Sequence, residues 1–272
     1  MTPKLIALDL DGTTLNENSE VTDATVQAVQ KVISMGHIVC IVTGRSTRLA
    51  LPAYQKLGLK TPMINFNGSL GIVPEYAWSG QYEFSVDREI VLDLLDHKEA
   101  LGINIIVAED KHSILASKPA SDELFKVSCG FFPNHVAPDQ VLNATNLTHN
   151  PIDLAIDYDA AKLPQLEEFV ADHYGNQVEI AHWGGPLSIF EIKRSGVDKA
   201  YGVKQLAQNF NIAKKDIIAI GDQVNDLPLL SAAGTKVAMK NAVDSIKAVS
   251  NVVTKYNNEQ NGVAKYLNET FS

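Results

Sequence analysis

Short apolar runs that each end in glycine or a polar residue, with helix-patterned stretches between them, constrain this chain more than any other feature. Lys4–Leu8 is one such run, as expected of a strand buried on both faces of a parallel sheet. Thr22 is placed to cap a helix carrying Val26, Val29, Val32 and Ile33 on one side, and Gly36 stops it. His37–Val42 is the next strand, ending in Thr43-Gly44-Arg45. A helical stretch disturbed by Pro52 reaches about Leu57, and Pro62–Phe66 is a third strand, ending in Asn67-Gly68. The C-terminal part repeats the alternation. Asp198–Phe210 sets Val203, Leu206, Ala207 and Phe210 at helical spacing, and Ile217–Ile220 is a strand ending in Gly221-Asp222. A short helical pattern, the run Lys236–Met239 and a last strand near Asn251–Thr254 follow. Strand alternating with helix predicts an α/β protein with an open, Rossmann-like parallel sheet.

The middle of the chain is patterned differently. Asp87–Leu101 is helical, and Ile103–Ala108 and Ser113–Ala116 are strand-like. Ala160–Tyr174 is helical again, followed by strand-like Gln177–Ala181 and Leu187–Ile192. A helix–strand–strand pattern occurring twice predicts an inserted α+β domain with a weak internal repeat; Ser121–Asn150 is ambiguous. Ser79-Gly80-Gln81 and Lys193-Arg194-Ser195-Gly196-Val197 are the linker candidates. The expected organisation is a core of residues 1–82 plus 193–272, split by an inserted domain at 83–192, which is of ordinary domain size.

The formal charge of −9 argues against a nucleic-acid or anionic-membrane binder working by bulk charge, while leaving room for a small anionic ligand at a local positive site. Cys40 and Cys129 lie far apart with no close Cys or His partner, so buried free thiols are expected rather than a disulfide or a metal pair. No segment reads as a signal peptide, and no apolar stretch approaches the roughly 18–20 residues of a membrane span. The Asn-x-Ser/Thr triplets at Asn67, Asn143 and Asn146 are then chance matches, and a cytoplasmic location is the expectation.

Chemistry in an open α/β sheet belongs at the C-terminal ends of the strands. Four such ends carry unusual polar residues: Asp9-Leu10-Asp11-Gly12-Thr13, Thr43-Gly44-Arg45, Asn67-Gly68 and Gly221-Asp222-Gln223-Val224-Asn225-Asp226. If those strands are neighbours, at least four carboxylates converge: Asp9, Asp11, Asp222 and Asp226. Buried like charges protonate or recruit a cation. Ligation by oxygen alone points to a hard divalent ion, and Mg²⁺ suits a few carboxylates, retained waters and phosphate oxygens. An EF-hand is excluded because its loop glycine is sixth, whereas Gly12 is fourth counting from Asp9. Four carboxylates and one Mg²⁺ leave a formal −2, still hostile to a phosphate dianion; a lysine would help, and Lys199 opens a helix after the second linker. Backbone N–H groups after Asp9, the Thr43 hydroxyl and the Gly44 N–H are candidates to hold phosphate oxygens. Thr13 is also readable as a cap or turn residue. Asp198 and Asp216 read as structural. His182-Trp183-Gly184-Gly185 reads equally as a pocket lining or a turn.

With these residues in place, the chain resembles the haloacid-dehalogenase-like (HAD) phosphohydrolases, specifically the Cof-type members with a large α/β cap (subclass IIB). The motifs are Asp9-Leu10-Asp11-Gly12-Thr13, Thr43-Gly44-Arg45, Lys199 and Gly221-Asp222-Gln223-Val224-Asn225-Asp226, with Val237–Ala242 and Asn261–Leu267 also similar. The insertion falls between the second and third motifs, where Cof-type caps fall. The resemblance implies that Asp9 attacks phosphorus to form an aspartyl phosphate, and that Asp11 serves as acid and then base. It further implies that Asp9, the Asp11 main-chain carbonyl and Asp222 bind Mg²⁺, with Asn225 and Asp226 as ligands or support. Thr43 and Lys199 would hold the phosphoryl group, with Gly44, Arg45, Asn67 and Asn225 facing phosphate or substrate.

The expected function is hydrolysis of a small phosphorylated metabolite, a sugar phosphate or similar phosphomonoester, closed off from water by a mobile cap. The expected partner is that substrate, with no nucleic acid or membrane, in a monomer or homodimer. A phosphomutase using the same Asp9 chemistry and a non-catalytic phosphometabolite-binding regulator are the alternatives. The intact Asp9/Asp11 pair argues against the latter.

Overall fold

The computed structural model describes residues 2–117, 137–182 and 188–272. The chain opens with β1 (Leu5–Leu8), α1 (Asp23–Ser34), β2 (Ile38–Ile41), α2 (Thr47–Lys56), β3 (Met63–Asn65), β4 (Leu70–Ile72) and β5 (Tyr82–Glu83). It continues through α3 (Arg88–Asp96), β6 (Ile103–Glu109), β7 (Ile114–Ala116), β8 (Asp153–Tyr158), α4 (Leu163–Tyr174), β9 (Val178–His182) and β10 (Ile189–Arg194). It closes with α5 (Lys199–Asn209), β11 (Ile217–Gly221), α6 (Leu227–Ser231), β12 (Thr235–Ala238), α7 (Asp244–Val249), β13 (Val252–Val253) and α8 (Gly262–Thr270). Two compact units result, Met1–Tyr82 with Asp198–Ser272, and Glu83–Val197.

In the first unit, five parallel strands run in the order β13-β12-β11-β1-β2. Every residue of β1 and β11 is buried, as uninterrupted apolar runs require in a sheet covered on both faces. Thr22 caps α1 by accepting the Thr25 N–H, and Ala28, Val29 and Val32 bury its apolar stripe. Helix α2 continues through Pro52. The third strand differs from expectation. β3 meets the parallel sheet through one bridge, Val42 to Ile64, and then pairs antiparallel with β4. Phe66, Asn67 and Gly68, at φ of 49°, 51° and 108°, reverse the chain before a longer parallel pairing can form.

The second unit is an antiparallel sheet in the order β7-β6-β8-β10-β9. Apolar residues of α3 and α4, among them Val91, Leu94, Leu166 and Val170, pack with Leu154, Ile156 and Phe190. Strand β8, at the centre of this sheet, has no counterpart in the sequence reading. Leu154, Ile156 and Tyr158 belong to the helix-packed core, while Ala155 packs against a second apolar cluster and blurs the period of two that Asp153 and Asp157 would mark. The second unit also extends past residue 192. β10 runs to Arg194, and buried Lys193 donates to both the Glu179 carboxylate and the Val197 carbonyl, which ties that segment to the insertion.

Cys40 is a buried free thiol, pushed up to about 12 by that burial. Asp198 caps α5 and Asp216 pairs with Lys4, the structural roles expected of them. Among the described residues no helix is long and apolar enough to cross a membrane. Cys129, the segment Trp183-Gly184-Gly185 and Leu187 lie outside the described residues.

Candidate functional site

Parallel register sets the site. Leu8 pairs with Ile220 on one side and with Ile41 on the other, so Asp9, Asp222 and Thr43 leave the sheet at nearly the same level. The Asp9 N–H donates to the Ile220 carbonyl at 3.1 Å, continuing the ladder one residue past β1. The sequence places β2 to one side of β1 and β11 to the other, and a crevice opens at such a switch in strand order.

Three carboxylates gather there. Asp9, Asp222 and Asp226 are all buried, and each offers an oxygen within 4.8 Å of the others'. Lys199, 1% exposed, lies among them. Its Nζ donates to Asp9 Oδ1 at 2.7 Å and to Asp226 Oδ1 at 2.6 Å. Asp226 Oδ2 accepts the N–H groups of Asp222 at 2.9 Å and Gln223 at 3.1 Å. Asp226 therefore holds the lysine with one oxygen and folds the Asp222 loop with the other. Burial drives the Asp9 carboxyl well above the usual carboxylate range; Asp226, Asp222 and Asp11 push the same way, and Lys199 opposes them. Burial and then Asp226 push Asp222 up to about 7, against the Thr13 hydroxyl and Lys199. Burial works against the Lys199 charge, but Asp226 and Asp9 outweigh it and hold the ammonium above its ordinary range.

The turn after Asp9 is built to close on this group. Gly12 sits at φ +69°, and a Cβ there would overlap Asp222 Oδ2. Thr13 Oγ1 donates to Asp222 Oδ1 at 2.9 Å, and Thr14 Oγ1 donates to the Asp9 carbonyl at 2.6 Å. Asn241, within the Val237–Ala242 stretch, donates to the Gly12 carbonyl at 2.7 Å. Thr13 is thus both a turn residue and a partner of the site.

Three of the four expected carboxylates, Asp9, Asp222 and Asp226, share the cluster. Asp11 is near enough to push Asp9 and Asp222 up, and its carboxylate is held by Arg45, with Nε to Oδ2 at 2.8 Å and Nη2 to Oδ1 at 2.6 Å. Its backbone has left the strand for a tight turn, with Asp11 at φ −70° and ψ 127° before the left-handed Gly12, and the turn redirects the side chain. The two-residue spacing from Asp9 does not carry over a turn.

Thr43 is buried. Its N–H donates to the Ile64 carbonyl, its Oγ1 accepts the Arg45 N–H at 3.1 Å, and its carbonyl accepts the Asn67 N–H at 3.1 Å. Asn67 packs against Gly44, where a Cβ would lie 3.1 Å from Nδ2, and its Oδ1 accepts from Asn225 Nδ2 at 3.2 Å. Gly44, Asn67 and Asn225 thus form one contact chain along the strand ends. The Arg45–Asp11 pair and the Asn241 contact escaped the sequence reading, because neither is a spacing: both depend on the direction of a turn.

The donor set suits a hard divalent cation: three buried carboxylates and one ammonium sum to −2, and the three carboxylates offer oxygen ligands alone. Chemically, a buried carboxylate at the C-terminal end of an interior strand, gripped by a lysine beside two further carboxylates, offers an oxygen of the kind that attacks phosphorus together with a positive group suited to an anionic ester.

Comparison with known proteins gives a consistent picture. The family model for haloacid dehalogenase-like hydrolases matches residues 6–267. The chain is 31% identical to the 5-amino-6-(5-phospho-D-ribitylamino)uracil phosphatase YitU of Bacillus subtilis, over 99% of this chain and 98% of that protein. It is 26% identical to the pyridoxal phosphate phosphatase YbhA of Escherichia coli, over 98% of each chain. Its fold is similar to a haloacid dehalogenase-like hydrolase from Bacteroides thetaiotaomicron, with a TM-score of 0.85, 24% identity, and 99% of this chain and 100% of that one covered.

Proposed function

The chain belongs to the haloacid dehalogenase-like hydrolases and is a phosphatase of that family, and on that premise we propose that it hydrolyses a small phosphomonoester through an aspartyl phosphate on Asp9. The observation that carries this reading is the position of Asp9. It is buried at the C-terminal end of β1, an interior strand, and bonded to Lys199, with Asp222 and Asp226 alongside. An Asp9 oxygen bonds to phosphorus as the bond from phosphorus to the leaving oxygen breaks, and the leaving oxygen takes a proton from Asp11. Asp11 then takes a proton from water, whose oxygen attacks the same phosphorus and restores Asp9 with release of inorganic phosphate. Lys199, the Thr43 hydroxyl and the Gly44 N–H hold the phosphoryl oxygens and meet the charge that develops on them. Asp9, the Asp11 main-chain carbonyl and Asp222 would hold Mg²⁺, with Asn225 and Asp226 in support, and the ion would neutralise phosphate charge next to the acidic group. Both Asp226 oxygens are engaged by Lys199 and backbone N–H groups, which favours a supporting part for that residue.

The substrate class is a small monoester such as a sugar phosphate. The ribityl phosphate and pyridoxal phosphate in the relatives' names are natural first candidates, and the inserted domain is assigned the choice of leaving group. Phosphate release should be measured over a library of phosphomonoesters with Mg²⁺, for the protein and its Asp9→Asn variant. The reading predicts turnover that Asp9→Asn abolishes while the melting curve stays that of a folded protein. Turnover by Asp9→Asn at the unmodified rate would remove Asp9 as nucleophile.

A further inference from the structure

Arg45 is anchored in a way that a phosphate ligand would not need. Nε donates to Asp11 Oδ2 at 2.8 Å and Nη2 to Asp11 Oδ1 at 2.6 Å, a two-point fork that fixes the plane of a carboxylate as well as its place. Nη2 also donates to Ser19 Oγ at 3.3 Å, and Nη1 to the Leu49 carbonyl at 3.4 Å. The main chain is held equally firmly, its N–H on Thr43 Oγ1 and its carbonyl accepting from Asn65 Nδ2 at 3.0 Å and from the Phe66 N–H at 3.2 Å. The arginine side chain is 12% exposed and that of Asp11 55%. The more enclosed, tethered partner is the arginine, and the one whose direction it sets is Asp11.

We propose that Arg45 is the positioning residue of the acid/base: it acts through Asp11 and is not a ligand of the phosphoryl group. The proposal rests on the reading of Asp11 given above. A carboxylate oxygen has two acceptor sites, and the fork uses one on each, so Asp11 can be held and still exchange a proton through the remaining one. As the Asp9 oxygen bonds to phosphorus and the leaving oxygen departs with its electron pair, that oxygen takes the proton from an Asp11 whose direction the fork has fixed. Without the fork, an exposed aspartate on a turn samples several rotamers, and the proton donor is in place for only part of the time.

The test compares two esters in single-turnover phosphoryl transfer with Mg²⁺. 4-Nitrophenyl phosphate expels a phenolate that is stable without a proton; glycerol phosphate expels an alkoxide that is not. Asp11→Asn is expected to slow transfer from glycerol phosphate by about 10²–10⁴-fold, the worth of a general acid, and transfer from the nitrophenyl ester far less. Arg45→Ala should follow the same pattern, losing about tenfold or more on glycerol phosphate with little change in KM. The double variant should be no slower than Asp11→Asn alone, as expected of residues acting as a unit. Arg45→Lys keeps the charge without the fork, should show the same selective loss, and carries the comparison if Arg45→Ala does not fold. Equal losses on both esters from Arg45→Ala or Arg45→Lys, expressed as raised KM, would make Arg45 a phosphate ligand and overturn the proposal. If Asp11→Asn itself fails to distinguish the esters, the acid/base reading falls first. If Asp11→Asn distinguishes them and the Arg45 variants do not, only the positioning role falls.

Discussion

Lys199 makes the acidic group tolerable at the scale of single residues. Three buried carboxylates next to one another would shed their charges to solvent protons, and the ammonium donating to Asp9 and Asp226 limits that. Four of these side chains, Asp9, Asp222, Asp226 and Lys199, were legible in the sequence, because each stands at a strand end or a helix start whose position the apolar pattern dictates. Asp11 was legible as a residue and not as a direction. Its carboxylate turns to Arg45 because the chain bends at Gly12, a consequence of φ +69° that no spacing rule carries. Gly12 is also where the smallest change should do the most. Gly12→Ala combines the left-handed strain with an overlap against Asp222, so it should cost about 1–3 kcal/mol of stability and weaken Mg²⁺ binding together. Denaturant unfolding and a Mg²⁺ titration of the variant check both parts; retention of wild-type values would show that the turn yields without disturbing Asp222.

Elements deliver these residues to one place. Helix α5 begins at Lys199, and its cap is the neighbouring Asp198, whose carboxylate accepts the Tyr201 N–H at 3.0 Å. Asp198→Ala should cost about 0.5–2 kcal/mol and lower turnover, since the first turn that frays is the one carrying Lys199. Thermal melts and steady-state rates measured on the same preparation test the link. In the insertion, the turn between β6 and β7 is organised by Asp110, which accepts the N–H groups of His112 and Ser113 at 2.8 Å for the latter, the Ser113 hydroxyl at 2.9 Å, and His149. Burial opposes its charge, but these hydrogen bonds prevail and hold its carboxyl below the usual carboxylate range. A depressed folded-state pKa means stability that is present above the unfolded value, near pH 4, and is lost as pH falls through the folded value. Asp110→Asn should therefore destabilise by about 1–2 kcal/mol at pH 7 and progressively less as the pH drops below 4 in urea unfolding series. The alternation of apolar runs and helices made the elements of the first unit readable, because strands covered on both faces are apolar throughout. β8 escaped because it is six residues long and apolar Ala155 sits between Leu154 and Ile156, packed against a second, smaller apolar cluster, so the strand shows little alternation. β3 was readable as a strand, but its departure into a hairpin follows from three successive positive φ angles and not from composition.

Over the whole molecule, a net charge of −9 coexists with a site meant for an anion, so attraction must be local: Lys199, the N–H groups at the strand ends and a divalent cation have to supply it. A cation held by the native state and not by the unfolded chain stabilises by mass action, about 2.7 kcal/mol at a hundredfold excess over Kd. The melting temperature should rise with millimolar Mg²⁺ and fall back with EDTA, and Asp222→Asn should remove the response; indifference of the unmodified protein would count against the metal site. The proposed activity turns on one covalent bond. It can be sought directly by mixing the protein with substrate and Mg²⁺, quenching in acid, reducing the acyl phosphate with borohydride and mapping the product by peptide mass spectrometry. An aspartyl phosphate on Asp9 predicts a homoserine at position 9 that depends on substrate and is absent from Asp9→Asn. Phosphate release with no modification at position 9, or with the modification on another carboxylate, would contradict it.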